Sequence, residues 1–219
     1  MATSCTPACT AAAVMTYNSL ITDVTQYLER NDTAVVNQIP QFIMLAEYEI
    51  AQEIKTLGQL NVAESTMTAG NPVIPKPARW RKTVSMNLTN GSGVTQPVYL
   101  RKYEYLKNYA PSGTANSTPL YYCDYNYDNW LVAPTPDQAY SFEILYYERL
   151  APLSSANQTN WITQNAPNVM LYGTLLQAMP FLKNDQRQIF QQKYSEGIQA
   201  LKLEDQLRIA DRQAIAQDS

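Results

Sequence analysis

Residues 167 to 179, PNVMLYGTLLQAM, are apolar on nearly every side of a helix. A helix with no polar face must be covered all round, which places this one at the centre of a packed structure. The chain breaks into it at Ala166-Pro167, and Pro180 should kink or end it by removing a backbone donor. Upstream lie a strand ending in Tyr146-Tyr147 and a polar loop holding one tryptophan, Trp161. Trp161 and Pro167 are expected to fix the geometry of this joint, and Tyr172, Leu175 and Leu176 its packing.

The cover has to come from other helices. Tyr17, Leu20, Ile21, Val24, Tyr27 and Leu28 recur at three- and four-residue steps and predict a helix capped by Thr16 and ended by the Asn31-Asp32 turn. A second helix opens near Pro40, buries Ile43, Ala46, Ile50, Ile54 and Leu57, and is closed by Gly58. Its opposite side, with Glu47, Glu49, Gln52, Glu53 and Lys55, reads as a solvated face. Asn184-Asp185 would cap a last helix with Phe190, Tyr194, Ile198 and Leu201 in one stripe. Its periodicity weakens past Asp205.

Between these helices the period changes to two. Three prolines from Pro72 to Pro77 mark a break, after which Trp80, Val84, Met86 and Leu88 fall on one strand face, interrupted by Lys82. Asn90-Gly91 is a hairpin signal, because both residues tolerate positive φ. The partner strand, Val94 to Leu100, contains Pro97 and should therefore lie at an edge or a bulge. Residues 101 to 109 predict a short helix. Strands are expected at Leu120–Asp124, Trp130–Ala133 and Tyr140–Arg149, the last with Tyr140, Phe142, Ile144 and Tyr146 on one face.

The fold class that follows is α+β: a helical bundle domain made by N- and C-terminal helices, with an inserted antiparallel β-rich domain, a meander or small barrel. The expected division is a flexible arm over 1–14, a helical domain over 15–60 and 162–205, a β-rich domain over 61–161, and a C-terminal tail over 206–219.

Composition narrows the chemistry. The 219 residues include no histidine, which removes the commonest general base and metal ligand. Charged residues are 16%, below the usual figure of about 25%. A net charge of -3 gives no basic footprint for tight duplex binding. Cys5, Cys9 and Cys123 read as reduced structural thiols rather than a zinc site. The start, MATSCTPACTAAAVM, has neither the basic region nor the long apolar run of a signal peptide, and no stretch approaches a membrane span of roughly 20 apolar residues. A soluble, cytoplasmically made protein is expected, with no cofactor and no metal. Asp124 and Asp128 form a conceivable cation or hydrolytic pair, although aspartates in such a turn usually bond its backbone. The crowded tyrosines between Tyr99 and Tyr127 favour interfaces, and Tyr103, Tyr109, Tyr125 and Tyr127 are the candidate subunit or tail contacts.

In order along the chain, YNSLITDVTQYLERND, IPQFIMLAEYEIAQEIKTLGQ, PLYYCDYNYDNWLVAPTP with LYYERLAPLS, and TNWITQNAPNVMLYGTLLQAMPFLKND resemble the head-to-tail adaptor (connector) proteins of tailed phages, the group that includes tail tubular protein A. The resemblance spans about residues 17 to 202. It implies a non-enzymatic virion protein at the head–tail interface, assembled in the host cytoplasm. Such adaptors form a homo-oligomeric ring, commonly dodecameric, beneath the portal protein. The tail nozzle or tube assembles on the ring, and genomic DNA passes through it without sequence-specific binding. In related adaptors the C-terminal region embraces the portal. Carried over, this implies portal contacts at Leu203, Leu207, Arg208, Ile209, Arg212 and Ile215. The competing reading is a carboxylate-based glycan hydrolase acting during infection.

Overall fold

The computed structural model describes residues 14–111, 116–182 and 187–217, with side chains described except at position 57 and beyond Ala210. In chain order the elements are α1 (Tyr17–Leu28), α2 (Thr33–Val36), α3 (Ile39–Glu53), a 3-10 turn (Leu57–Gln59), β1 (Leu60–Met67), β2 (Val73–Pro75), β3 (Trp80–Thr89), β4 (Thr95–Leu100), α4 (Tyr103–Tyr109), β5 (Tyr121–Asp124), β6 (Asn129–Ala133), β7 (Tyr140–Glu148), α5 (Trp161–Asn165), α6 (Pro167–Leu182) and α7 (Arg187–Gln217). Two compact units result, one of residues 1–58 and 150–219, the other of residues 59–149.

The first unit is helical and α6 is its centre. Val169, Met170, Leu175, Ala178 and Met179 are buried, together with Ile43, Ala46 and Ile50 of α3 and Phe190, Tyr194, Ile198 and Leu201 of α7. Even Thr174 is fully buried, its hydroxyl returned to the Met170 carbonyl at 2.8 Å. Tyr172 packs at the margin and stacks on Phe190, ring centroids 6.4 Å apart. Pro180 lies inside the helix, which runs on to Leu182. Thr16 and Ser19 form a reciprocal capping box, each side-chain oxygen taking the other's backbone N–H at 3.1 and 2.9 Å.

Several helix ends differ from expectation. α1 stops at Leu28, where Glu29 turns left-handed at φ 51, and Asn31-Asp32 instead leads into the one-turn α2. α3 stops at Glu53 because Ile54 is extended, so Gly58 caps nothing and sits in the 3-10 turn. The expected tail from residue 206 is a continuation of α7, helical to Gln217. Its Ala, Gln, Leu and Arg residues are good helix formers, and Glu204 pairs with Arg208 one turn on. The cap expected at Asn184-Asp185, the N-terminal arm and Cys5 and Cys9 lie outside the described residues.

The boundary expected at residue 161 falls at Leu150. Leu153 is buried in the helical core with Leu150 packed against it, and Gln158 takes the Tyr17 N–H at 2.7 Å. The polar stretch before Trp161 therefore belongs to the helical unit. Trp161 itself opens α5, capped by Asn160.

The second unit is a seven-stranded sheet of order β1-β7-β3-β4-β5-β6-β2. Its neighbours are antiparallel except β4 and β5, which run parallel through Tyr99–Tyr121 and Leu100–Tyr122. The expectation of a purely antiparallel meander or barrel is corrected here. The segment containing α4 carries the chain back before β5, as a parallel pair requires, and β1 and β2 end the sheet instead of closing it. Pro97 fits in β4 because the N–H groups facing β5 start at Tyr99, beyond it. Tyr140, Phe142, Ile144 and Tyr146 of β7 are buried over Met67, Met86, Leu88 and Trp130. Val84 is exposed, because irregularities at Trp80/Lys82 and Thr83/Ser85 shift the alternation of β3. The hairpin loop also differs. The positive φ of 77 is at Gly93, while the Asn90 side chain takes the N–H of Ser92 and Val94 at 3.0 and 2.9 Å.

Candidate assembly surfaces

Short helix α4 is anchored by one buried residue, Leu106, over Cys123, Leu131 and Ala133. Everything else on it is free to form a surface. Tyr105 and Tyr109, four residues apart, stack with centroids 6.2 Å apart, and both meet the edge of Tyr121, at 5.2 and 4.9 Å. The Arg101 guanidinium lies 5.7 and 5.8 Å from the Tyr105 and Tyr121 rings. Tyr103 stacks instead on Tyr125 at 6.1 Å, with Lys107 5.4 Å from its ring. Tyr127 is 68% exposed and meets Arg149 at 5.7 Å. The predicted contacts thus divide: Tyr103 joins Tyr125, Tyr109 joins a cluster with Tyr105 and Tyr121, and Tyr127 stands apart. Tyr105 and Tyr121 were not singled out in the sequence, although the four-residue step from Tyr105 to Tyr109 was a usable signal.

The turn carrying Tyr125 and Tyr127 is pinned from below. The Lys76 side chain is only 4% exposed, and its ammonium lies 3.1 Å from Asp124 and 3.8 Å from the Trp80 ring centre. It also donates to the Asn126 carbonyl at 2.8 Å. Asn126 Oδ1 in turn takes the backbone N–H of Asp128 and Asn129 at 3.0 and 2.8 Å. The Asp124 carboxylate is therefore engaged by a buried cation. Among the described residues no cluster of three or more His, Cys, Asp or Glu is placed to hold a metal.

Burial, with the Asp124 charge nearby, pushes the Tyr122 phenol up to about 12, and a hydrogen bond with Tyr105 raises that of Tyr121. Burial likewise raises the Cys123 thiol, which makes it an unreactive packing group.

The second surface is the end of α7. Leu201 is its last buried residue among those whose side chains are described. At about 1.5 Å per residue the helix runs on for roughly 24 Å beyond it. Leu203 and Leu207, one turn apart, are 57% and 56% exposed. Ile209 is exposed on a different side of the helix, and Arg208 is bonded back to Glu204. The structure thus joins Leu203 with Leu207 and separates Ile209 from them. Arg212 and Ile215 lie in the helical stretch whose side chains are outside the described set.

One acid is misplaced by the sequence. Glu47, expected on a solvated face, is 8% exposed. Its carboxylate takes the Leu153 N–H at 3.1 and 3.2 Å and Asn160 Nδ2 at 2.8 Å. Burial raises it from 4.5 to about 7, against the lowering effect of these two donors.

Among the described residues no helix is long and apolar enough to cross a membrane. No curated protein matches the chain. A family model described as SU10 adaptor protein matches residues 15–217, which takes in both helical segments, the whole sheet unit and the α7 extension to its end at Gln217. The chain belongs to the SU10 adaptor protein family and is a phage structural adaptor.

Proposed function

We propose that this adaptor forms a ring, of the commonly dodecameric kind, between the portal of the filled head and the tail nozzle or tube, and that genomic DNA leaves through its bore. In this reading the chain is a helical bundle with an inserted β-rich domain and has no catalytic role. The α7 extension docks on the portal through Leu203 and Leu207, and the tyrosine face of the sheet unit meets a neighbouring subunit or the tail.

The observation that carries the reading is the stretch of α7 beyond Leu201, which keeps two leucines open on one side while Glu204, Asp205 and Arg208 still border a cleft with Gly58, Trp161 and Asn165. A lone helix gains little from such exposure, whereas an apolar stripe laid in a partner's groove is a recurring recognition mode. The tyrosine face supports it. Tyrosines offer large contact area at low entropic cost, and low charge keeps desolvation cheap. Electron microscopy of the protein mixed with its portal is the test. An added ring on the portal is expected; portal particles without one overturn the proposal.

A further inference from the structure

The sheet unit ends in two strands whose outer edges are protected very differently. β2 is three residues long, and Pro72, Pro75 and Pro77 remove backbone donors in and around it, which blunts that edge. β1 is eight residues long and contains no proline, glycine or lysine. It pairs with β7 in unbroken register from Leu60–Tyr147 to Met67–Tyr140, without the irregularities of β3. In an antiparallel pair every second residue turns its N–H and C=O away from the neighbour, so half of β1 presents both groups outward. Asn61, Val62, Glu64, Ser65 and Thr66 are exposed, and among the described residues no strand lies beyond them.

The side chains on this edge select what can pair with it. Glu64 stands directly opposite Glu143 of β7, with Asn87 of β3 next in the row. The adjoining rows, Val62–Leu145–Ser85 and Thr66–Ser141–Thr89, are neutral. Like charges held opposite each other are unfavourable, and among the described residues neither carboxylate joins an ion pair. A second copy of β1 is therefore a poor partner. Centred antiparallel pairing, or parallel pairing in register, would gather both copies of Glu64 and Glu143 in one place. A cation brought by a different strand would relieve both acids at once.

We propose that β1 is a strand-docking edge: it takes an extended segment of a partner protein that sets Lys or Arg opposite Glu64, with β-branched or apolar residues two positions to either side. The main-chain ladder supplies the binding, and the alternate side chains supply the selectivity. One flanking residue covers Val62, which is 52% exposed. The edge shares no residue with the α7 or tyrosine surfaces, so the proposal is independent of the ring assignment.

The test is a titration of the isotope-labelled full chain with acetyl-Thr-Val-Thr-Lys-Thr-Val-Thr-amide, read by backbone amide shifts. The same peptide with Glu in place of Lys is titrated beside it. Saturable shifts confined to β1 and β7 are expected, with the Lys peptide binding about fivefold more tightly or better. Glu64→Lys changes an exposed residue and gives Glu143 a partner, so the variant should fold normally and reverse the preference. The proposal is overturned by no shift at β1 up to about 5 mM peptide, by equal binding of the two peptides, or by an unreversed preference in Glu64→Lys. A wild-type dimer that shields the β1 amides would also overturn it, because the occupant would then be a second copy.

Discussion

The indole of Trp161 occupies the space that a Cβ on Gly58 would need, with ring atoms Nε1, Cε2 and Cζ2 nearest. Trp161 opens α5, so the glycine is required by close approach to that helix and not by helix capping. Gly58→Ala must displace the ring, at a cost of about 1–3 kcal/mol. Thermal unfolding of Gly58→Ala, Trp161→Ala and the double variant checks this. The double should be less destabilised than the sum of the singles, because the shared contact is removed once.

Asn160→Ala removes the α5 cap and one donor to Glu47 together, and should destabilise the helical unit by about 2 kcal/mol. Asn160→Asp keeps a capping oxygen but sets a second acid beside a buried one. Its deficit should grow as pH rises from about 5 to about 8, since the two carboxylates then ionise against each other. Denaturant melts at both pH values measure the difference.

Lys76→Met should keep the packing against Trp80 while freeing Asp124 and the Asn126 carbonyl. Global stability should drop by about 1–2 kcal/mol, because the ammonium's partners are themselves exposed. The sharper effect is local. Amide exchange at residues 125 to 129 should accelerate, with the sheet core unchanged, since Lys76 ties this turn down.

Leu203 and Leu207 are solvated in the free chain, so replacing both by Asp should leave the melting temperature within the range expected of a shift below about 0.5 kcal/mol. Co-sedimentation with portal particles should nevertheless be lost. Ile209→Asp, on another side of the helix, should weaken it less.

How much of this was legible depended on whether burial came from nearby chain. The alternation Tyr140, Phe142, Ile144, Tyr146 and the all-apolar α6 state their own environment, and both are buried as expected. β1 states almost nothing, since only Met67 of its residues is buried. The parallel pairing of β4 with β5 rests on where α4 returns the chain, which no local period encodes. Glu47 looks solvated until a strap 106 residues away lies over it. Val84 was misread because an irregularity in β3 is invisible to simple alternation. On the tyrosine face, the residues were evident as a crowd, but their sorting into Tyr103–Tyr125 and Tyr105–Tyr109–Tyr121 needed the position of β5 beside α4.

The adaptor account is tested most directly by mass. The purified chain should be measured alone and after mixing with its portal ring, by mass photometry or sedimentation. The account predicts a new species whose added mass is a whole ring of subunits, abolished by the Leu203 and Leu207 double substitution. A portal peak of unchanged mass beside unbound chain would contradict it.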